Sequence, residues 1–248
     1  MDVVIGTAGW SIPRANTSRF PAEGTALARY ATVFGGVEVN SAFYRPHRPS
    51  TWARWAASVP EAFRFAVKIP KAITHEARLV GAEDLIARFA DEVAPLGDRL
   101  ALVLAQLPPK LSFDAAAAER FFRRLRRSLP AQIVCEPRHP GWFTREADRR
   151  LDEWRVARAA ADPPTGGPEA ATPGGWRGLS YWRLHGSPTL YRSAYDAAAL
   201  DAYAQRIRDS ADAGRPSWCV FDNTAASAAT GDALALQARL RAATADPR

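Results

Sequence analysis

The stretch Phe65-Ala66-Val67-Lys68 decides the fold class, because it is a short apolar run that ends abruptly in a charged residue. A strand of a parallel sheet is buried on both faces and should be apolar throughout, so the terminal charge needs a separate reason. Seven other apolar runs recur along the chain, and most of them end in a polar residue: Val3-Val4-Ile5-Gly6, Val37-Glu38-Val39-Asn40, Leu102 to Gln106, Ile133 to Glu136, Val156 to Asp162, Trp182 to His185 and Cys219 to Asn223.

The spacing of the eight runs indicates repeated strand–helix units. Their starts lie roughly 25 to 40 residues apart, the length of a strand and a returning helix. Helical periodicity between the runs predicts helices over 25–34, from 49, over 82–94, from 114, and over 144–154, 196–213 and 232–243. The 248-residue length also matches a single (β/α)8 barrel. We therefore predict an α/β chain, with one TIM-like barrel over 1–243 and a frayed tail over 244–248.

The sixth unit departs from the pattern. The segments Asp162-Pro163-Pro164-Thr165-Gly166-Gly167-Pro168 and Pro173-Gly174-Gly175 cannot hold a helix, because proline and glycine interrupt it repeatedly. The strand-like rhythm resumes at Ser180, which argues against a domain linker. The sequence therefore predicts that a Pro/Gly-rich loop replaces helix six.

The composition and net charge describe a basic globular chain. A net charge of +7 and a pI near 9.9 permit anionic substrates or nucleic acid, although arginines on solvated helix surfaces explain the charge more simply. Two buried free cysteines, Cys135 and Cys219, and the absence of a signal peptide suit a cytoplasmic protein. No apolar run approaches the roughly 18 residues of a membrane span. The sequence fixes no oligomeric state.

Strand alternation selects the residues expected to face the barrel axis. It places Glu38, Lys68, Glu136 and His185 in one cavity near the carboxyl ends of the strands, where barrels carry their active sites. Glu38 and Glu136 would form an acid–base pair, and Lys68 would serve as nucleophile, electrophile or proton carrier. The alternative is that these charges only neutralise one another, Glu38 with Lys68 and Glu136 with Arg138 or Arg183.

A wider set of polar and aromatic residues lies at the strand ends or in the loops that follow them. We expect these residues to bind substrate by hydrogen bonding, charge or ring stacking. They are Trp10, Asn40, Tyr44, His75, Gln106, Arg138, His139, Trp142, Arg183, Tyr191 and Asn223.

A divalent metal is an alternative to purely organic chemistry. Glu38, Glu136, Asp162 and His185 are ligand types for magnesium, manganese or zinc. No paired-histidine or clustered-cysteine spacing accompanies them, so no metal residue is assigned and the cofactor stays open.

Several ordered segments resemble the YecE-like family, domain of unknown function 72. They are Gly6 to Ser11, Val37 to Tyr44, Phe65 to Lys71 with Ile73-Thr74-His75, Gln106 to Pro109, Glu136 to Trp142, Arg183 to Gly186 with Tyr191 and Tyr195, and Phe221 to Thr224. The resemblance covers nearly the whole chain and implies a TIM-like barrel without an established activity. The family's link to sugar isomerases is an analogy of fold.

Three functions follow as hypotheses. The first is an enzyme, of isomerase, lyase or hydrolase type, that performs acid–base chemistry on a small polar, anionic or sugar-like substrate, phosphorylated compounds included. The second is a nucleic-acid-binding or nucleic-acid-processing protein, suggested by the pI and by five arginines on the fourth predicted helix. The third is a barrel that binds a small ligand without turnover.

Overall fold

The computed structural model describes residues 2–245, with side chains as far as residue 242. Its strands form two sheets that are parallel except at one two-residue strand. The strands are β1 (Val3–Thr7), β2 (Gly36–Val39), β3 (Arg64–Lys68), β4 (Leu100–Gln106), β5 (Gln132–Glu136), β6 (Val156–Arg158), β7 (Ala160–Asp162), β8 (Gly174–Gly175), β9 (Ser180–Leu184) and β10 (Ser217–Phe221).

Each predicted apolar run has become a strand. One sheet has the order β2-β3-β4-β5-β6-β8, and the other has the order β1-β10-β9-β7. The sheets meet at two places: a parallel bridge pairs Ala8 with Glu38, and Ala159 alone separates β6 from β7 along the chain. The structure therefore confirms a mixed α/β fold with parallel sheets.

Eight α-helices accompany the strands in the described part of the chain. They are α1 (Ala26–Ala31), α2 (Ser41–Tyr44), α3 (Pro49–Ala57), α4 (Glu83–Val93), α5 (Ala115–Ser128), α6 (Arg145–Glu153), α7 (Ala197–Asp212) and α8 (Ala229–Ala245). Short polar side chains cap several of them, as with Asp114 Oδ1, which accepts a hydrogen bond from Ala117 N at 3.0 Å. The last helix continues through residue 245, so residues 244 and 245 of the predicted tail are helical and the remainder lies outside the described residues.

The sixth unit has no α-helix between residues 163 and 179. This segment contains a 3-10 turn at Pro168–Ala171 and the strand β8, which pairs antiparallel with β6. Arg158 holds the segment in place by donating to Glu169 O at 3.0 Å and to Asp148 Oδ1 at 3.3 Å. The prolines that exclude a helix thus leave a loop that side chains must fix individually.

Alternation along the strands divides the core into two layers. Residues of one parity, such as Phe65, Val67 and Leu184, pack outward in the main core cluster. Residues of the other parity, such as Leu104 and Val220, form a separate cluster between the inner faces of both sheets. Because the polar strand ends continue the inner parity, the inner apolar cluster leads directly to the predicted site.

Within the described residues, no helix is long and apolar enough to span a lipid bilayer.

Candidate functional site

One arginine organises the charged residues at the carboxyl ends of the inner strands. Arg183, near the end of β9, is fully buried. Its Nη2 and Nε atoms lie 2.6 and 3.0 Å from the two carboxylate oxygens of Glu38, and its Nη1 lies 2.5 Å from Glu136 Oε2. Nη2 also contacts Asp222 Oδ2 at 2.9 Å. A single guanidinium therefore joins carboxylates from three different parts of the sheets.

This arrangement makes Arg183 a permanent cation. Burial by itself would lower the pKa of Arg183, but Glu136, Glu38 and Asp222 together raise that pKa well above its ordinary value. Tyr181 supports the same unit by donating its hydroxyl to Glu38 Oε2 at 2.8 Å. Both oxygens of Glu38 are thus occupied, and its side chain has no exposed surface.

Glu136 also receives a second arginine from the loop after β5. Arg138 donates from Nη2 and Nε to Glu136 Oε1 at 3.0 and 3.1 Å. Burial would raise the pKa of Glu136, but Arg183, His185 and Arg138 hold it well below its ordinary value. Arg138 is one-fifth exposed and lies 3.5 Å from the Tyr191 hydroxyl, so it connects the buried carboxylate to the rim of the site.

His185 bridges two of the carboxylates. Its Nδ1 lies 3.1 Å from Asp222 Oδ2, while its buried Nε2 has no hydrogen-bond partner and is 3.5 Å from Glu136 Oε1. Burial would lower the pKa of His185, but Glu136 and Asp222 raise it above the ordinary value. The protonated imidazolium is therefore favoured, and one of its N–H groups is left without an acceptor aligned to receive it.

Lys68 is the only lysine among the inner strand ends. Burial and, to a lesser extent, Arg183 lower its pKa to about 8 against the opposing effect of Glu136, Glu38 and Asp222. Its ammonium lies 4.0 Å from the centre of the Phe43 ring, and among the described residues no carboxylate forms a salt bridge with it. Next to it, His75 has a pKa that burial, Lys68 and Arg138 all lower. The two lowered pKa values favour the neutral forms of Lys68 and His75.

The structure brings most of the sequence-predicted residues together. Asn40 Nδ2 lies 3.5 Å from Asp222 Oδ1, and the buried Asn40 Oδ1 has no partner. Gln106 pairs in register with Glu136 and donates its amide to Leu107 O at 3.1 Å. The predicted pairing of Glu38 with Lys68 is wrong, since Glu38 binds Arg183 instead. Glu136 binds both of the arginines that the sequence offered as alternatives.

Five of the residues predicted to bind substrate make their contacts outside the cluster around Arg183. Trp10 packs edge-on against Trp55, and Tyr44 is 71% exposed. The His139 ring accepts a hydrogen bond from Gly141 N, which stabilises the turn at Pro140–Trp142.

The remaining two are fully buried. Trp142 is packed in the core and donates its indole N–H to Leu111 O at 2.9 Å. Asn223 faces away from Arg183 and donates to Ser193 O and Asp232 Oδ2 at 2.8 and 2.7 Å. These contacts assign Trp142 and Asn223 to packing and loop anchoring, because an aromatic or amide group at a strand end can serve structure as readily as ligand binding.

Two site residues escaped the sequence prediction. Asp222 and Tyr181 contact Arg183 and Glu38, yet only Asn223 was selected from the end of the eighth run. The alternation of side chains along β10 identifies Asp222 as inward-facing. Trp218 and Val220 belong to the inner cluster, so Asp222 has the inner parity and Asn223 has the outer parity.

Some of the residues that suggested a metal site or nucleic-acid binding have other partners. Glu38 and Glu136, two of the proposed metal ligands, already bind the Arg183 guanidinium, and the described residues contain no convergent group of three metal-binding side chains. On the arginine-rich helix α5, Arg123 pairs with Glu119 at 2.8 Å, and Arg126 donates to two backbone oxygens. These two arginines therefore have structural partners.

Comparison with known proteins assigns the chain to a family. It is 31% identical to the UPF0759 protein YecE of Escherichia coli K12 over 145 residues, which cover 58% of this chain and 51% of that protein. It is 27% identical to the UPF0759 protein YunF of Bacillus subtilis over 150 residues, 57% of this chain and 52% of that protein. The chain thus matches about half the length of these relatives.

Solved structures show the same fold. A DUF72 family protein of Enterococcus faecalis superposes with a TM-score of 0.82 at 20% identity, covering 96% of this chain and 95% of that one. A DUF72 family protein of Thermotoga maritima gives 0.77 at 21% identity, with coverages of 97% and 100%. The family model described as protein of unknown function DUF72 matches residues 4–248. The chain is therefore a member of the DUF72 family.

Proposed function

We propose that this protein is an enzyme that performs acid–base chemistry on a small polar, anionic or sugar-like substrate. The reaction would take place at the carboxyl-end mouth of a closed (β/α)8 ring, with β6 and β7 together acting as its sixth strand. The Ala8–Glu38 bridge and the junction at Ala159 support such closure. In barrels of this kind the strand ends and the loops after them carry the chemistry.

One observation carries the proposal: two ionisable groups that share Glu136, Asp222 and Arg183 as charged neighbours have pKa values displaced in opposite directions. Lys68, with its pKa lowered to about 8, presents a neutral amine to an appreciable extent near neutral pH. His185, with a raised pKa, retains a proton. The pKa of Lys68 thereby approaches neutral pH, and pKa values shifted by burial and neighbouring charges in this way are typical of acid–base catalysts.

The roles follow from charge and access. Lys68 would remove a proton from the substrate or attack its carbonyl carbon as a free amine. His185 would donate a proton from Nε2, the buried nitrogen that lacks a partner. Glu136 would keep His185 protonated and Arg138 oriented, so its carboxylate acts through those two residues.

The accessible charges favour an anionic substrate. Arg138 is one-fifth exposed and Lys68 keeps 8% of its surface exposed, whereas Arg183 and Glu38 have no exposed surface. Cations at a rim attract carboxylate or phosphate groups and stabilise negative charge that develops on oxygen during the reaction. Arg183 is therefore a positioning residue that fixes three carboxylates.

The proposal can be tested by proton exchange with solvent. The protein would be incubated in D₂O with a panel of sugar phosphates, hydroxy acids and keto acids, and deuterium incorporation followed by mass spectrometry. We expect at least one compound to exchange, with Lys68→Met and Glu136→Gln folded but inactive and Lys71→Met fully active. Full activity of both site variants on that compound would refute the assignment. Saturable binding of a compound without exchange or turnover would instead indicate a ligand-binding protein.

A further inference from the structure

We propose that the space left by the missing sixth helix is a second binding site, for a small anion rich in oxygen such as a carboxylate or phosphate compound. The site lies between the 163–179 segment and the carboxyl-terminal half of α7, over the outer face of β9. It is therefore separate from the strand-end cluster, and it does not depend on the function proposed for that cluster.

The missing helix leaves a cavity of about 570 Å³. A packed helix would normally cover the outer side chains of β9, but here Ser180 and Trp182 form part of the cavity wall. This volume lies within the roughly 300–1,000 Å³ of typical small-molecule sites. The loop thus creates a space of ligand size on the side of the protein.

Trp182 provides the observation that calls for a ligand. Its side chain is 98% buried, yet its indole N–H has no hydrogen-bond partner. An indole nitrogen can only donate, so a buried one without an acceptor is unfavourable. The other buried polar groups at this wall are satisfied, since the Ser180 and Ser210 hydroxyls are 2.6 Å apart. An acceptor bound in the cavity would complete the set once the wall shifts to admit it, because the nitrogen has almost no accessible surface in this structure.

The charges of the cavity select an anion as the source of that acceptor. Arg206 and Arg215 line it, and within the described residues neither has a carboxylate partner; Arg206 packs over the Tyr203 ring at 5.5 Å. The lining also contains two acidic residues: Asp209 of α7, which is hydrogen-bonded by Gln205 at 2.7 Å, and Glu169 of the 163–179 segment. Two unpaired guanidinium groups and a buried N–H donor are complementary to the oxygens of a carboxylate or phosphate.

The test uses the Trp182 indole resonance as the reporter. The ¹⁵N-labelled full chain would be titrated with inorganic phosphate and, separately, with citrate, each at constant ionic strength maintained with chloride. Trp182→Phe identifies the resonance among those of the eight tryptophans. We expect a saturable shift of this resonance with at least one anion and no comparable shift with chloride alone.

Charge-matched variants locate the binding. Arg206→Ala and Arg215→Ala should each weaken the binding by roughly tenfold, as expected for loss of a charged hydrogen bond. Arg208→Ala, on the same helix but outside the cavity lining, should leave it unchanged. If Trp182→Phe does not fold, calorimetry on the wild type and on these surface variants would measure the binding instead.

Two results would overturn the proposal. One is the absence of a saturable response to both phosphate and citrate. The other is a response that disappears in Lys68→Met but survives in Arg215→Ala, because the anion would then bind at the strand-end cluster. Failure of the catalytic proposal would leave the Trp182 response intact, so the two outcomes are distinguishable.

Discussion

Replacing Lys68 by methionine should stabilise the protein at neutral pH, and the gain should shrink as the pH rises. Lysine has a pKa of 10.5 when exposed, and burial lowers that of Lys68 to about 8. The unfolded chain therefore binds the proton more tightly than the folded chain, so protonation disfavours folding. At pH 7, where both states are protonated, this difference is worth about 3 kcal/mol.

The pH dependence follows from the same two values. At pH 9.5 the folded amine is neutral while the unfolded amine is still mostly protonated, and the penalty falls to about 1.5 kcal/mol. The cation–π contact with Phe43 opposes the gain by about 1 kcal/mol at neutral pH. Methionine has a similar length and no charge, so the net stabilisation at pH 7 should be about 2 kcal/mol.

Urea unfolding of wild type and Lys68→Met at pH 7 and pH 9.5 would measure this effect. The difference between the two proteins removes the contributions of other titrating groups. Lys71→Met is the matched control, because Lys71 is half-exposed and paired with Glu76 at 3.3 Å. A stability difference for Lys68→Met that is the same at both pH values would refute the depressed pKa and the acid–base role built upon it.

Three other substitutions test the framework of the site. Arg183→Met should destabilise the protein by about 3–5 kcal/mol in urea unfolding, because three buried carboxylates lose their shared cation; an unchanged midpoint would contradict this. Gly6→Ala should cost about 3 kcal/mol, since a Cβ there would overlap the Gly36 carbonyl oxygen, while Gly35→Ala, with open space around it, should be nearly neutral. Asp232→Ala should cost about 1–3 kcal/mol and increase amide exchange at 193–195, because it removes the acceptor of Asn223; unchanged exchange would count against that anchoring role.

Much of the architecture could be predicted from local pattern. Strands buried on both faces must be apolar, so β3 and β5 were visible as short runs, and the caps at Asp114 and Thr144 marked the helices that follow. The 163–179 segment was also predictable as a loop, because proline removes the backbone donors that a helix requires. These are properties of neighbouring residues and need no distant contact.

The partners within the site could not be predicted in the same way. Alternation along each strand identified Lys68, Glu136 and Arg183 as inward-facing, because the direction of a side chain depends only on its position in the strand. It did not determine which carboxylate would bind which cation. Those choices depend on how strands that are distant in sequence align, and the fold placed Arg183 between Glu38 and Glu136, leaving Lys68 without a carboxylate.

The amino-acid sequence by itself therefore determined the strands, most of the helices and the inward set of polar residues, because hydrophobic periodicity and backbone restrictions act over a few residues. Only the tertiary structure decided that Asp222 joins the cluster, that Trp142 and Asn223 serve packing, and that the pKa values of Lys68 and His185 move in opposite directions. The reason is physical: charge pairing and desolvation depend on distances between segments far apart in the chain, and folding alone sets those distances.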